Sequence, residues 1–525
     1  MTPSMVEAAE RPEGDLRRAT PVWRSPAEWR TTQRKLRLLI PLNLLLAAWY
    51  FEWLLRPGRV GNPVLFGLLV AAEIFNLAQA AGFWWTCWHG RDRPPAPAWS
   101  GAPPRVDVLI PVYNEPLDVV APTVAAAIEL LGARVTVHLL DDAGRSDLVE
   151  LAREVGAHYV RRSGNRGAKA GNLNHALAHA NAPFVVVFDC DHVPDPRFLT
   201  ATLGWMRDED VGFVQTPQYY ANAGTCRLAA AAWSQQSLFF GGIARGKDGL
   251  DSMFCCGTNV LFRRRALDQA GGFPEESLTE DFELSVLLHE RGWRSVYVNE
   301  VLAQGLGPED VASYVSQQRR WARGCLAALP LLIKAELPWR IRQQYLLSAM
   351  FFLSGWTFAL YMALPVVRIF FGLQPLAGAT ADQFLLHFAP YFGLSLAAVA
   401  IAGAGAYTFD AFALLIANFS VQVVSTLLVI ARRRGRFVVT SKRGAEGPQP
   451  RAALPSLLVI CLLLSAMGYA LDRSLTAASL NNVAFAGLHL SVLTVGSWSA
   501  LVGRRRTSLA VPARRERPQR EELVA

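Results

Sequence analysis

The sequence predicts an α/β domain with a mostly parallel, Rossmann-like sheet, inserted into a bundle of transmembrane α-helices. Three observations predict it. Of 525 residues, 52% are hydrophobic and only 18% charged, and the mean hydropathy is +0.20, a more apolar balance than soluble chains show. The long apolar runs fall in two groups, before residue 86 and after residue 331, while residues 105–330 alternate short Val-rich runs with helical stretches, the pattern of a helix-covered sheet. Finally, Phe184-Val-Val-Val-Phe188 is continuously apolar and ends on Asp189-Cys190-Asp191-His192. A continuous apolar run is a strand buried on both faces. Ligand sites in open α/β sheets lie just beyond such strand ends.

Residues 1–35 mix acidic, basic and Pro residues without a short apolar core, so no signal peptide is read there. Leu36–Leu55 is the first expected span, since about 20 residues at ~1.5 Å each cover a ~30 Å hydrocarbon core. Pro63–Trp85 is the second, joined to it by the short link Arg56–Asn62 and interrupted by Glu73, Asn76 and Gln79. Glu73 and Asn76 share one helical face and are expected to look into the bundle rather than toward lipid. With residues 36–86 as two helices, the Pro-rich residues 87–104 read as a linker.

Within 105–330 the expected strands are Val106–Val112, Val135–Leu140, His158–Arg161, Phe184–Phe188 and Val211–Gln215, with helices at Leu117–Leu131, Asp147–Val155, Lys169–Ala180 and Pro196–Arg207. Two more spans, Leu346–Phe371 and Phe384–Ala404, fall in 331–408, and another two, Leu454–Leu471 and Val483–Val502, in 453–503. Phe409–Ile430 is long enough to cross, yet Asp410, Asn418, Gln422 and Ser425 recur along one face. Charge decides between the two readings. If this segment lies flat at the interface, the basic run after it, the N-terminus, the α/β domain and the tail 504–525 are all cytoplasmic, while the Lys- and Arg-free link Gly372–Gln383 is external, as the positive-inside rule asks. The sequence therefore predicts six spans, with an amphipathic interfacial helix in 409–452.

The net charge of +9 could attract nucleic acid, but the basic residues flank apolar segments and no aromatic-basic array of the RNA-reading kind is present. No nucleic-acid partner is expected. The seven cysteines show no metal-type spacing and read as free thiols of a reducing compartment.

Several short clusters carry chemistry. Asp189 and Asp191 project where a divalent cation could be held by oxygen ligands, although a strand followed by an acidic helix cap would look the same. Asp141-Asp142-Ala143-Gly144 follows a strand, where a carboxylate suits a nucleotide base or ribose hydroxyl or merely caps a helix. Lys169, at a helix start beside Gly167 and Gly171, suits a diphosphate or an ordinary basic turn. Thr279-Glu280-Asp281 precedes an apolar helix; Thr279 reads as its N-cap and Asp281 as a general base. Gln317, Arg320 and Trp321 stand at i, i+3 and i+4 of a helix opened by Pro308-Glu309-Asp310. An indole face there can stack a sugar ring, and Arg320 can hold diphosphate oxygens.

In this order, with Tyr113-Asn114-Glu115-Pro116, Ala168-Lys169-Ala170-Gly171-Asn172, Phe254-Cys255-Cys256-Gly257-Thr258 and Phe437-Val-Val439-Thr440-Ser-Lys442 added, these clusters resemble the processive family 2 glycosyltransferases. The resemblance is closest to the bacterial cellulose synthase catalytic subunits and covers roughly residues 36–503. It implies a GT-A-type cytoplasmic domain and an inverting, processive β-glycosyltransferase of the plasma (inner) membrane. Such an enzyme polymerises a UDP-sugar and passes the chain across the membrane. UDP-glucose and a cellulose-like β-1,4-glucan lead. A β-1,3- or mixed-linkage glucan would use the same motifs, and a chitin- or hyaluronan-type product stands further back. A catalytically dead membrane scaffold or transporter is the reading from another class; the joint presence of Asp189, Asp191, Asp281 and Trp321 argues against it.

Carried over residue by residue, the resemblance implies that Tyr113, Glu115, Asp142 and Lys169, with Asp141 nearby, contact the nucleotide. Asp189 and Asp191 would hold Mg2+ (or Mn2+) against the diphosphate. Asp281, flanked by Thr279 and Glu280, would be the base. Gln317, Trp321 and the Cys256-Gly257-Thr258 turn would hold the acceptor, and Arg320 the diphosphate. Phe437, Val439, Thr440 and Lys442 would form a gating loop over the donor. The partners implied are a UDP-sugar donor, the growing β-glucan chain, membrane lipid and room for an accessory export protein. Three departures stand out: the usual Asp-Asp-Gly is here Asp141-Asp142-Ala143-Gly144; few residues follow Gly503, so no PilZ domain is expected; and only two expected spans precede the catalytic domain, fewer than the family's bacterial members have.

Overall fold

The structure is a computed structural model that describes residues 26–433, 435, 447–473 and 477–503. The expected gating loop, with Phe437, Val439, Thr440 and Lys442, lies outside the described residues, as do 1–25 and 504–525.

Among the described residues ten strands form two sheets: β1 (Arg105–Val112), β2 (Arg134–Asp141), β3 (His158–Arg161), β4 (Phe184–Val187), β5 (Val193–Pro194), β6 (Val211–Gln215), β7 (Tyr219–Tyr220), β8 (Val260–Arg263), β9 (Arg294–Tyr297) and β10 (Ala303–Gly305). The larger sheet runs β3-β2-β1-β4-β8-β6-β9. All its pairings are parallel except those of β8, which runs against both β4 and β6. Successive residues of β1 explain why these strands read as unbroken apolar runs. Val108 and Ile110 enter one core with Phe198 and Leu148, while Leu109 enters the core on the opposite face with Leu173 and Phe262. Both faces are buried, so neither needs a polar residue.

The five expected strands are present within a residue or two of their expected ends. Strands β8 and β9 and the small sheet β5-β10-β7 were not among the expected elements. These strands have two to four residues each, too short for a period of two to register. The expected helix Pro196–Arg207 divides into an α-helical turn, Phe198–Thr202, and a 3-10 turn, Leu203–Arg207.

β8 is what builds the site. Its register pairs Val187 with Val260, which sets the residues before β8 beside the residues after β4. The Asp189 N–H accordingly donates to Thr258 Oγ1 at 2.8 Å. The small sheet then folds over the same end and carries His192, at the start of β5, against Gly305 of β10. A β-carbon at Gly305 would stand 2.3 Å from the imidazole.

Six helical segments among the described residues are long and apolar enough to cross a membrane: Pro63–Trp88, Trp339–Phe371, Ala381–Ala402, Phe409–Ile430, Pro450–Asp472 and Leu480–Val502. The helix Pro26–Leu54, which carries the expected first span, is not one of them; Arg37, Pro41, Asn43 and Glu52 dilute it. Phe409–Ile430 qualifies by length and composition, but half of it is buried inside the protein. It is also two helices, Phe409–Ala417 and Phe419–Ile430, parted at Asn418 (φ −86°, ψ 8°). Most of its polar face looks inward: Asn418, Gln422 and Ser425 are buried, while the partly exposed Asp410 pairs with Arg227 at 2.6 Å. Glu73 and Asn76 also face the bundle, both meeting the Tyr361 hydroxyl, at 2.9 and 2.7 Å. At one end of the bundle the link Arg56–Asn62 meets the link Gly372–Gln383 through Gly61 N–H to Pro375 O (2.9 Å) and Asn62 N–H to Gln374 O (2.8 Å).

Candidate active site

A cavity of about 90 Å3 opens where the carboxyl ends of the strands meet the helices Glu280–Glu290 and Val311–Ala327. Its walls include Lys169, Asp189, Cys256, Gly257, Thr279, Glu280, Asp281, Gln317, Arg320 and Trp321, residues from five sequence clusters spread over more than 150 positions.

Each wall has a local cause. Asp189 follows β4 and is held by Thr258 as described. Lys169 opens the helix Ala168–Leu177, entered through Gly167 (φ 72°) and Ala168 (φ 45°). That left-handed entry aims Lys169 across the cavity, where Nζ donates to Asp189 Oδ1 and to Gly257 O, the latter at 2.8 Å. Thus Lys169 neutralises the carboxylate expected to bind metal. The Cys256–Thr258 turn is pinned from β6: Cys256 N–H donates to Gln215 Oε1 (2.8 Å), Gln215 Nε2 to Thr258 O (2.9 Å) and Gln218 Nε2 to Cys256 O (2.7 Å). Asp310 caps the Val311–Ala327 helix by accepting from Ser313 N–H at 2.9 Å, and three residues of its second and third turns, Gln317, Arg320 and Trp321, reach the cavity.

Thr279 precedes the helix Glu280–Glu290 but does not cap it with its side chain. Its buried Oγ1 has no hydrogen-bond partner among the described residues. It packs instead on Gly324, where a β-carbon would come within 2.4 Å, so Thr279 locks the two helices together. Asp281 stands in the first turn, its Oδ1 accepting from Phe282 N–H at 2.8 Å. Burial pushes the Asp281 carboxyl up to about 7, and neighbouring Glu280 adds to the rise; Lys169 and Arg320 pull the other way. Asp189 behaves oppositely. Burial alone would raise it, but the Lys169 ammonium holds it below the usual carboxylate range. Two carboxyls in one cavity are therefore driven apart in acidity, the pattern of an assigned acid-base pair of roles.

Asp191 is buried and accepts from Leu306 N–H at 3.1 Å. Next to it His192 is buried too, its Nδ1 3.5 Å from Asp191 Oδ1. Neither ring nitrogen makes a hydrogen bond among the described residues. Asp189, Asp191 and His192 offer ligand atoms all within 4.8 Å of one another. Two carboxylates and an uncommitted imidazole fit a divalent cation of the Mg2+ or Mn2+ kind. His192 adjoined the sequence motif, but only the fold, through Gly305, shows that it turns toward the aspartates. Gln218, Tyr220, Leu278 and Leu306 also line the cavity and carried no sequence signal.

Other expected residues lie elsewhere. Tyr113, Glu115, Asp141 and Asp142 are not on the cavity wall. Asp141 is fully buried and accepts from Ala143, Gly144 and Arg145 N–H and from the Tyr159 hydroxyl, at 2.6–3.0 Å. That is a turn-closing role. Asp142 is paired with Arg162, whose Nη2 lies 2.8 Å away. Glu115 caps its own loop by accepting from Tyr113 N–H at 2.8 Å.

Residues 184–417 match the glycosyl transferase family group 2. The chain is 33% identical over 451 residues to cellulose synthase 2 of Novacetimonas hansenii, covering 82% of this chain and 28% of that protein. It is 31% identical over 464 residues to the cellulose synthase catalytic subunit [UDP-forming] of Pseudomonas fluorescens (strain SBW25), covering 83% of this chain and 62% of that one. Residues 184–417 are therefore a family 2 glycosyltransferase region, and most of the chain is similar to cellulose synthases. The chain thus spans between about a quarter and three fifths of the length of these curated relatives. Among solved structures it is similar to a mannosyltransferase from Pyrobaculum calidifontis in complex with GDP-Man and Mn2+, with TM-score 0.51, 19% identity, 69% of this chain covered and 99% of the other. That likeness shows a GT-A-type fold, in keeping with the sheet order above.

Proposed function

We propose that this glycosyltransferase polymerises a UDP-sugar, with UDP-glucose as donor and a cellulose-like β-1,4-glucan as product, and passes the chain across the membrane as it grows. The observation that carries the reading is one cavity lined by Asp281, whose carboxyl is raised to about 7, by Asp189 and His192, whose ligand atoms lie within 4.8 Å of those of Asp191, and by the Trp321 indole. A base tuned close to working pH suits removal of a proton from a sugar hydroxyl. In this reading Asp281 takes the proton of the acceptor's terminal hydroxyl, and the freed oxygen attacks the anomeric carbon from the side opposite the diphosphate. The bond from that carbon to the β-phosphate oxygen breaks, the configuration inverts and UDP leaves. Arg320 and Lys169 offer positive charge to the leaving diphosphate, and Trp321 with Gln317 seats the acceptor ring. A divalent cation held by Asp189, Asp191 and His192, when bound, neutralises charge developing on the diphosphate.

Extrusion is supported by the helix Phe419–Ile430, which packs on the Trp321-bearing helix. The side chains of Asn418, Gln422 and Ser425, and Ser497 nearby in the bundle, are buried with oxygens or nitrogens that find no hydrogen-bond partner among the described residues. Such groups suit a passing hydroxylated chain better than lipid or packed core. The reading places the catalytic domain in the cytoplasm and the helices Phe409–Ala417 and Phe419–Ile430 at the membrane interface. The test is to supply membranes bearing the protein with labelled UDP-sugars and digest the product with linkage-specific glucanases. Release by a β-1,4-glucanase supports the reading. Release by a β-1,3-glucanase replaces the linkage, and no incorporation from any UDP-sugar overturns the activity.

A further inference from the structure

Tyr345 lies outside the cavity, on the helix Trp339–Met350 that forms the first part of the apolar segment Trp339–Phe371. It is completely buried, and what it touches is unusual. Along the helix Glu280–Glu290, Asp281, Ser285 and His289 recur every four residues and so share a face. The Tyr345 hydroxyl lies 2.8 Å from His289 Nδ1, one turn along the helix from Ser285. On the far side of the ring, His289 Nε2 lies 3.1 Å from Ser295 Oγ. Burial keeps His289 neutral, its pKa lowered to about 4, so Nδ1 can accept from the phenol while Nε2–H donates to Ser295.

Ser285 joins the two halves of the site. Its Oγ donates to the Asp281 carbonyl at 2.7 Å and accepts from Cys255 N–H at 2.7 Å. One hydroxyl thereby ties the helix that carries Asp281 to the turn that carries Cys256 and Gly257. The Tyr345 ring reinforces the same joint. It packs on Phe282, the residue after Asp281, at 5.2 Å between centroids, and on Phe254, the residue before the two cysteines, at 6.1 Å. The neighbouring Gln344 accepts from Thr86 of the helix Pro63–Trp88 at 2.9 Å, and its carbonyl from Lys247 at 3.0 Å. Gln344 and Tyr345 are therefore the point at which two helices of the apolar bundle grip the acceptor turn and the base helix together.

We propose that Tyr345 is a positioning residue, fixing the rotation of the Glu280–Glu290 helix so that the Asp281 carboxylate and the Cys256–Gly257 turn keep one mutual geometry. The inference rests on Asp281 being the base. Proton transfer and attack tolerate little misplacement of the reacting groups, and a helix held only at its first turn can still roll about its axis. The anchors at Ser285 and His289 remove that freedom from inside the protein, without touching substrate.

The test uses the full chain in membranes, with rates expressed per UDP-binding site. Tyr345→Phe keeps the ring and deletes the hydroxyl. The expected result is a fall in kcat of about tenfold or more, with UDP affinity and the donor KM within about twofold, and a displaced acid limb of the pH–rate profile. His289→Gln, which keeps an acceptor for the phenol, is expected to retain more kcat than His289→Leu. Wild-type kcat and an unmoved acid limb in Tyr345→Phe overturn the inference, as does equal loss in the two His289 variants. Asp281→Asn in the same assay separates the two levels. If it still makes polymer, the base assignment fails and takes this inference with it. If it binds UDP but makes none while Tyr345→Phe is normal, only the positioning role falls.

Discussion

Gly257 and Asp281 meet face to face on the cavity floor. A β-carbon built at Gly257 would stand 2.9 Å from Asp281 Oδ2 and 3.5 Å from Lys169 Nζ. The backbone there has φ +80°, in the left-handed region that side chains disfavour. Gly257→Ala therefore meets both a strained backbone, at about 1–3 kcal/mol, and a displaced base. The expected outcome is a modest loss of thermal stability and a loss of polymer synthesis of at least about tenfold, larger than stability alone explains. Unchanged synthesis at a lowered Tm would detach the Gly257 turn from catalysis.

The acidity of Asp281 sets the pH dependence. Burial raises its carboxyl from an ordinary 3.8 to about 7. A base works only when deprotonated, so kcat/KM is expected to rise through the acid range and level off above about 7. Asp281→Asn abolishes both the activity and that limb. The stability consequence has the opposite sign. A folded pKa above the unfolded one means that stability held at acid pH is lost as pH climbs from 3.8 toward 7. Asp281→Asn is then expected to melt higher than the parent at pH 8 and much closer to it at pH 4, a comparison that differential scanning fluorimetry can make.

His192 supplies the next expectation. Its ring is aligned with Asp189 and Asp191 and makes no hydrogen bond among the described residues. If it completes a cation seat, His192→Ala raises the Mn2+ or Mg2+ concentration for half-maximal synthesis by about tenfold or more, and excess cation restores much of the rate. Chelation of the parent enzyme abolishes synthesis reversibly. An activation constant that does not move in His192→Ala would leave the ring a packing role against Gly305.

These residues also show how far the sequence could be read. The cavity-lining Asp189, Asp281, Gln317, Arg320 and Trp321 were legible because chemistry restricts which side chains can occupy a strand end or one helix face. The strand β4 was legible because both its faces are buried. Asp141 and Asp142 were legible as strand-end carboxylates but not as turn-closing and ion-paired groups, since the partners, Tyr159 and Arg162, come from the neighbouring strand and the loop after it. The Lys169–Asp189 pair was hidden for the same reason: it spans twenty positions and depends on the antiparallel β8 that the sequence did not reveal. Short strands, and the long-range contacts they create, leave no local period to detect.

The buried polar groups of the Phe419–Ile430 helix allow stability and function to be told apart. Gln422 and Ser425 are buried to within 1% of full and have side-chain atoms without hydrogen-bond partners among the described residues. An unsatisfied buried polar group costs about 1–3 kcal/mol, so such groups persist where something else needs them. Gln422→Leu and Ser425→Ala should then raise the melting temperature, because each removes an uncompensated dipole without leaving a large cavity. If the groups serve a passing polysaccharide, the same variants make shorter product or make it more slowly, while UDP affinity and the acid limb set by Asp281 stay as in the parent. Product length on a sizing column, measured beside the melting temperature, separates the cases. A higher melting temperature with product of unchanged length and rate would mean that these residues are packing defects, and that the chain leaves by another path.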